Sequence, residues 1–338
     1  MTGTGTTASR RIRNLAVAVV GFTALYSGAW YYGAHEIRSR LQQFMVERQA
    51  AGLTIECGNM EVKGFPFRFE IFCTNPGIAD LNHGGSADAA ALRTAAQVYQ
   101  PFHVVWEMDG PLDATLATGE KLSMNWSSLQ SSLQLKLGGL ERSSVAAEGF
   151  ALRFPSGSAD EASALDMKAE HAESHVRQNN EDLDAAFLAR KIALKLPGTG
   201  APVALPVFDA SVDATLGGKA GLLDGRIKGP GLLRPATGEI RRAVADFGEG
   251  RVTTVSGPLS IDEEGLISGK LSLEAEQFEK WEPLLTAALP DAADNIRTAM
   301  GALKAMADSK GTVRVNLVLD KGQVLLGFIP TGIVLPPL

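Results

Sequence analysis

Two pairs of residues in this chain have the chemistry and the spacing to do something specific. Cys57 and Cys73 are the only cysteines in 338 residues, and they bracket CGNMEVKGFPFRFEIFC (57–73). His171 and His175 stand four apart, the spacing at which two imidazoles on one helix face share a metal ion. The histidine pair fails as a metal site on its own terms. Glu170 precedes His171, so the H-E-x-x-H order is absent, and His35, His83 and His103 offer no third ligand nearby in sequence. On a strand, residues i and i+4 share a face but sit about 13 Å apart, too far for one ion. The two histidines therefore read as part of a solvated polar face, with no metal expected.

The cysteines read better. Phe65, Phe67, Phe69 and Ile71 alternate with Arg68 and Glu70, which is a strand signature, and LTIECGNMEV upstream supplies a partner strand. With Lys63-Gly64-Phe65-Pro66 as the corner and the hairpin centred on Phe65, Cys57 and Cys73 fall directly opposite each other. A disulfide there closes a loop of about 15 residues, worth roughly 3 kcal/mol in the chain-entropy account. A redox dithiol would read C-x-x-C, and zinc would need about four ligands. Two free buried thiols are the remaining alternative. The disulfide is the expected form, and it requires an oxidising compartment.

Other chemistry is scarce. The chain has no G-x-S-x-G elbow, no P-loop and no G-x-G-x-x-G after a strand. GLLDGRIKGPG holds glycines and a lysine at spacings that suit no phosphate cradle. Asp262, Glu263 and Glu264 sit at a hairpin tip and read as solvation. No reaction class emerges, so the expectation is a protein that is not an enzyme and has no cofactor. A net charge of −6 also argues against nucleic acid as a partner. The aromatic set Phe65, Phe67, Phe69, Phe102, Trp106 and Trp126 has two readings: it fills the core, or part of it lines an apolar groove suited to acyl chains.

The elements that must position these residues begin with an apolar segment. Arg10, Arg11 and Arg13 precede LAVAVVGFTALYSGAWYYGA, and the next charge is Glu36. About 22 uncharged residues at 1.5 Å rise span a hydrocarbon core of about 30 Å. The basic cluster holds residues 1–13 in the cytoplasm, 14–34 cross as a transmembrane anchor, and the rest lies outside. A cleaved signal peptide ending at Ser27-Gly28-Ala29 is the rival, and it exports the same residues. Residues 35–52 have helical spacing of Ile37, Leu41, Phe44 and Met45 and read as a juxtamembrane helix.

Residues 53–338 read as one β-rich domain. The stretch 82–97 looks like turn and low-complexity chain, 98–117 like a strand with Phe102, Val104 and Trp106 on one side. Further strands are expected over 121–137, 144–154, 164–177, 193–216, 252–276 and 312–330, a short helix over 181–190, and a loop over 218–236. Phe278, Trp281, Leu284 and Leu285 mark a helix ended by Pro290, and Ile296, Met300, Leu303 and Ala307 a second. The fold class is α+β with β dominant: a transmembrane helix, then curved antiparallel sheet, then a late helical pair.

The basic N-terminus with its apolar stretch, Cys57, GFPFRFEIFC (64–73), VYQPFHVVWEMDGPL (98–112), NWSSLQSSL (125–133) and VLLGFIPTGIVLPPL (324–338) together resemble the alphaproteobacterial domain-of-unknown-function 2125 family. The resemblance covers nearly the whole chain and implies a single-pass inner-membrane protein with its bulk in the periplasm. The C-terminal stretch is also similar to that of AsmA-like envelope proteins, whose curved sheets hold lipid. The family brings no catalytic residues. The expected role is non-catalytic, binding membrane lipid or supporting envelope assembly, and the alternative is a subunit that binds another envelope protein.

Overall fold

The computed structural model describes residues 5–82, 84–155, 164–197, 203–227, 231–288, 293–327 and 329–337. His83 and Pro290 lie outside the described residues. A single helix, α1 (Gly5–Ala50), contains both the apolar stretch and the segment expected to form a separate juxtamembrane helix. No proline interrupts it, and isolated glycines cost only about 1 kcal/mol each in a helix interior. Within Arg10–Ala50 it is long and apolar enough to cross a membrane. As far as Leu25 its apolar side chains point outward with no protein against them: Phe22 is 71% and Leu25 77% exposed.

The remaining chain is antiparallel sheet. In chain order the elements are β1 (Leu53–Glu56), β2 (Asn59–Lys63), β3 (Arg68–Thr74), β4 (Gly77–Asp80), β5 (Ser86–Gln97), β6 (Gln100–Thr115), β7 (Lys121–Asn125), β8 (Ser128–Lys136) and β9 (Gly139–Pro155). There follow β10 (Ala164–Asn179), β11 (Asp182–Leu196), β12 (Val203–Ala204), β13 (Phe208–Gly217), the single turn α2 (Gly221–Asp224), β14 (Ala236–Asp246), β15 (Val252–Ile261) and β16 (Ile267–Ala275). Then come α3 (Trp281–Ala288), α4 (Ala293–Lys304), β17 (Val313–Asp320), β18 (Gln323–Leu326) and β19 (Ile329–Val334). The described strands form one sheet. It runs from the β2–β3 hairpin through β5 and β6 to β8 and β9, then β10, β11 and β13 to β19, each pair antiparallel. β1 pairs with β4, and β7 fills the far end between β6 and β9.

Three sequence expectations differ from this arrangement. The stretch 82–97 forms β5 from Ser86, because β3 and β4 pair with one of its edges and β6 with the other. Its many alanines carry little strand propensity of their own, and the pairing overrides that. Of residues 181–190, all but Glu181 belong to β11, where Leu183, Ala185, Phe187 and Ala189 alternate against β10; good helix formers yield to a two-sided ladder. The hairpin register also differs: Met60, not Cys57, stands opposite Cys73, and the turn falls at 64–67. Cys57 lies just past β1, and its bond to Cys73 (Cα–Cα 5.4 Å) ties the β1–β2 corner to β3.

The sheet is a single layer over most of its area. The solvent-accessible surface is 21021 Å² at 35.7 kDa, whereas a compact monomer of this mass exposes about 13,000 Å². The outward α1 accounts for part of the excess and the unpaired sheet faces for the rest. One cluster of buried side chains, Phe278, Trp281, Met300 and Val313, lies where α3 and α4 sit on β16 and β17, with Ala275 and Val315 against it.

Candidate functional site

Antiparallel register decides which residues share a face. One registered row crosses from the first hairpin to the last helices. It starts Val62, Ile71, Thr94, Trp106, Ser131 and Val145 on β2, β3, β5, β6, β8 and β9. It continues Ser174, Phe187, Val212, Ala243, Val255, Leu273 and Val315 on β10 to β17. The row one residue away, on the other face, reads Lys63, Glu70, Ala95, Val105, Ser132, Ser144, His175, Ala186, Asp213 and Arg242. One face is mainly apolar, interrupted by Thr94, Ser131 and Ser174, and the other mainly polar.

Among the described residues, the apolar face is covered at its two ends. At the first, Leu41, Phe44 and Met45 of α1 lean over Ile71, Cys73, Leu92 and Met108, enclosing a cleft of about 350 Å³. At the other, α3 and α4 cover β16 and β17. Between the coverings, Val145, Phe150, Met167, Phe187, Ile192 and Val212 line a second apolar cleft of about 330 Å³. Phe187 is 50% exposed there. At about 4.8 Å per strand, β6 to β16 is roughly 40 Å along the sheet. Ser131 sits in this face with its hydroxyl buried and unpartnered.

The polar face is tied by ion pairs running across strands. Asp184 on β11 is buried and accepts hydrogen bonds from Thr215 (2.8 Å), Arg241 (3.1 Å), Arg177 (3.0 and 3.1 Å) and Asn179 (3.3 Å). Burial pushes its carboxyl pKa up, but the bonds from Thr215, Arg241 and Arg177 outweigh that and hold it at about 2. Arg241 also pairs with Asp213, whose carboxyl it holds below the ordinary range. His171 Nε2 and His175 Nε2 both meet the Glu173 carboxylate between them, at 2.7 and 3.0 Å. His171 Nδ1 lies 2.6 Å from Glu148. Glu173, then Glu148, raises the His171 pKa. Among the described residues, no group of three or more His, Cys, Asp or Glu side chains is placed to hold a metal ion.

The first hairpin is docked on α1. Trp30, 6% exposed, stacks on Phe69 (5.3 Å between centroids), meets Phe65 edge-on (5.5 Å) and donates from Nε1 to the Arg68 carbonyl at 3.1 Å. Tyr26 donates to the Pro66 carbonyl at 2.6 Å, and Tyr31 stacks on Phe65. Gly33 makes room for this: a Cβ there would stand 3.1 Å from the Phe69 ring. Gly64 opens the turn at φ +103, where a Cβ would meet the Arg68 carbonyl at 2.6 Å.

Of the six aromatic residues singled out from sequence, Phe69 and Trp106 stand on the apolar face and Phe102 at its margin, about half exposed. Trp126 is buried, its Nε1 donating to the Met108 carbonyl. Phe65 and Phe67 are in the turn rather than on β3. Sequence reasoning missed the length of the apolar face, although alternation within each strand carried the signal. It did not single out Trp30, which lies within the apolar stretch, as a docking residue.

These features define an open-faced antiparallel β protein, with one apolar sheet face and an N-terminal helix capable of crossing a membrane. The chain belongs to the family described as an uncharacterized protein conserved in bacteria, DUF2125, which it matches over residues 30–334. No curated protein and no solved structure matches it.

Proposed function

We propose that this is a non-catalytic protein held in the inner membrane by α1, with its sheet in the periplasm, where the apolar face holds the acyl chains of membrane lipid. One observation carries the reading: a mainly apolar face, in register over thirteen strands, is left uncovered by the described residues between α1 and the α3–α4 pair. Exposed apolar patches much above a few hundred Å² are rare on soluble monomers unless they bind something. The basic residues before the apolar stretch support the orientation, and the Cys57–Cys73 bond supports an oxidising compartment. The two clefts fall in the size range of about 300–1,000 Å³ used for small-molecule sites. Each methylene withdrawn from water gains about 0.8 kcal/mol, but one withdrawn from a bilayer gains almost nothing. Such a face therefore exchanges lipid with the membrane instead of trapping it.

The test is native mass spectrometry of full-length protein extracted gently from its own membrane, alongside Phe187→Asp. The expected result is phospholipid adducts on the wild type that are depleted in the variant, because a carboxylate at a half-exposed position charges the face without emptying a core. Absence of adducts, together with no uptake of fluorescent phospholipid by delipidated protein, would overturn the reading. A stoichiometric protein partner in place of lipid would favour the alternative of an envelope-complex subunit.

A further inference from the structure

From the direction of α1 we infer that the end of the sheet edge nearest α1, carrying the 64–67 turn and the β5–β6 and β8–β9 turns, is seated in the outer leaflet of the bilayer. The inference goes beyond the lipid-holding reading and rests on its premise that α1 spans the membrane. The helix runs along the strands of the first hairpins. Trp30 is beside the 65–69 end of the hairpin, Phe44 and Met45 lie over its middle, and Ala51 accepts a hydrogen bond from Asn82 at the opposite edge. The strands therefore stand along the membrane normal, with turn 64–67 downward.

The depth follows from which helix residue meets the turn. Tyr26, whose hydroxyl binds the Pro66 carbonyl, precedes Glu36, the first charge after the apolar stretch, by ten residues, or about 15 Å of helix. The turn thus meets the helix inside its apolar part. Backbone at that depth must have its polar groups satisfied by protein. The carbonyls of Gly64, Pro66, Phe67 and Arg68 accept from Arg68 N–H, Tyr26 O–H, Val98 N–H and Trp30 Nε1–H respectively. Pro66 has no N–H to satisfy.

At the turns of this edge nearest α1 the large exposed side chains are apolar, whereas the β10–β11 turn (Asn180-Glu181) and the β15–β16 turn (Asp-Glu-Glu-Gly, 262–265) farther along are polar and mark where the seating ends. Phe67 is 68% exposed, Tyr99 in the β5–β6 turn 71%, and Leu137 in the β8–β9 turn 97%. Phe65 and Phe102 beside them are about half exposed. Those three turns belong to the strands nearest α1. The β6–β7 turn at the opposite edge reads Ala-Thr-Gly-Glu (117–120). Lys63 and Arg68, each paired with a glutamate, stand where the strands leave the 64–67 turn, on stems long enough to carry their charges toward the headgroups. The occupant this chemistry fits is the lipid interface itself, which takes aromatic rings and the stems of basic side chains together.

The experiment uses the full chain reconstituted in vesicles of phosphatidylethanolamine and phosphatidylglycerol. Single cysteines are introduced as Phe67→Cys, Tyr99→Cys and Leu137→Cys, with Thr118→Cys as the opposite-edge control and Phe22→Cys as the helix control. Each added thiol is the free one, since Cys57 and Cys73 are bonded, and each is labelled with an environment-sensitive fluorophore. Probes at 67, 99 and 137 are expected to shift to the blue and lose emission to bilayer-borne doxyl quenchers. The probe at 118 is expected to stay sensitive to aqueous iodide. Quenching at 22 with aqueous behaviour at 67, 99 and 137 overturns the seating and leaves the spanning helix standing. Aqueous behaviour at 22 as well removes the premise and overturns both.

Discussion

Asp184→Asn tests the ion-pair seam that braces the sheet behind its widest uncovered stretch. Asp184 draws Arg177 of β10, Thr215 of β13 and Arg241 of β14 onto one carboxylate of β11, so four consecutive strands meet there. Its carboxyl is held at about 2, against an ordinary value of 3.8. At about 1.36 kcal/mol per pH unit this difference is about 2 kcal/mol of stability. Because the folded value lies below the unfolded one, the contribution is complete above pH 3.8 and is lost as pH falls through 2. Asparagine keeps the shape and one acceptor but cannot carry the charge. Urea unfolding of full-length protein in detergent, followed by tryptophan fluorescence, should therefore find the variant about 2 kcal/mol less stable at pH 7. That gap should hold down to about pH 4.5 and shrink toward pH 2, where half of the wild-type carboxylate is protonated. A gap that is the same at pH 2 as at pH 7 would refute the electrostatic account, and no gap at pH 7 would refute the seam.

Removing the Cys57–Cys73 bond by the double change Cys57→Ser, Cys73→Ser should cost roughly 3 kcal/mol for a loop of this length; an unchanged denaturation midpoint would remove it as a structural bond. His171 should titrate above its ordinary 6.5 in an NMR pH series, with Glu173→Gln bringing it back down. Its folded value is raised, so its contribution to stability is full below pH 6.5 and fades as pH rises through that higher value. Ser131→Ala deletes a buried hydroxyl that has no partner, and should stabilise the protein or leave it unchanged, by up to about 1 kcal/mol in thermal unfolding. A clear loss of stability would mean the hydroxyl is satisfied after all.

Periodicity made much of this fold legible. Phe102, Val104 and Trp106 separate from His103, Val105 and Glu107 in the sequence as they do on β6. Residues 164–177 read as strand despite a helix-like composition, and the helices at 281–288 and 293–304 follow from their apolar spacing. The aromatic groove candidates were only partly legible. Alternation through Phe65, Phe67 and Phe69 continues across a turn, and no single-strand pattern says where a strand stops. A shift of the hairpin register moved Phe65 and Phe67 out of β3 and put Met60 opposite Cys73.

Residue order alone dictates that a long apolar helix precedes a chain of strands, that each strand has an apolar and a polar side, and that two cysteines near the helix are available to bond. Those properties are local, because side-chain alternation and helical spacing are set by backbone geometry within a few residues. It took the folded chain to join the apolar sides of thirteen strands into one face, to cover its ends with α1 and the α3–α4 pair, and to bring donors from β10, β13 and β14 onto Asp184. Those properties depend on which strands pair and in what register. That choice is made by contacts between residues tens of positions apart, whose energies no stretch of sequence carries alone.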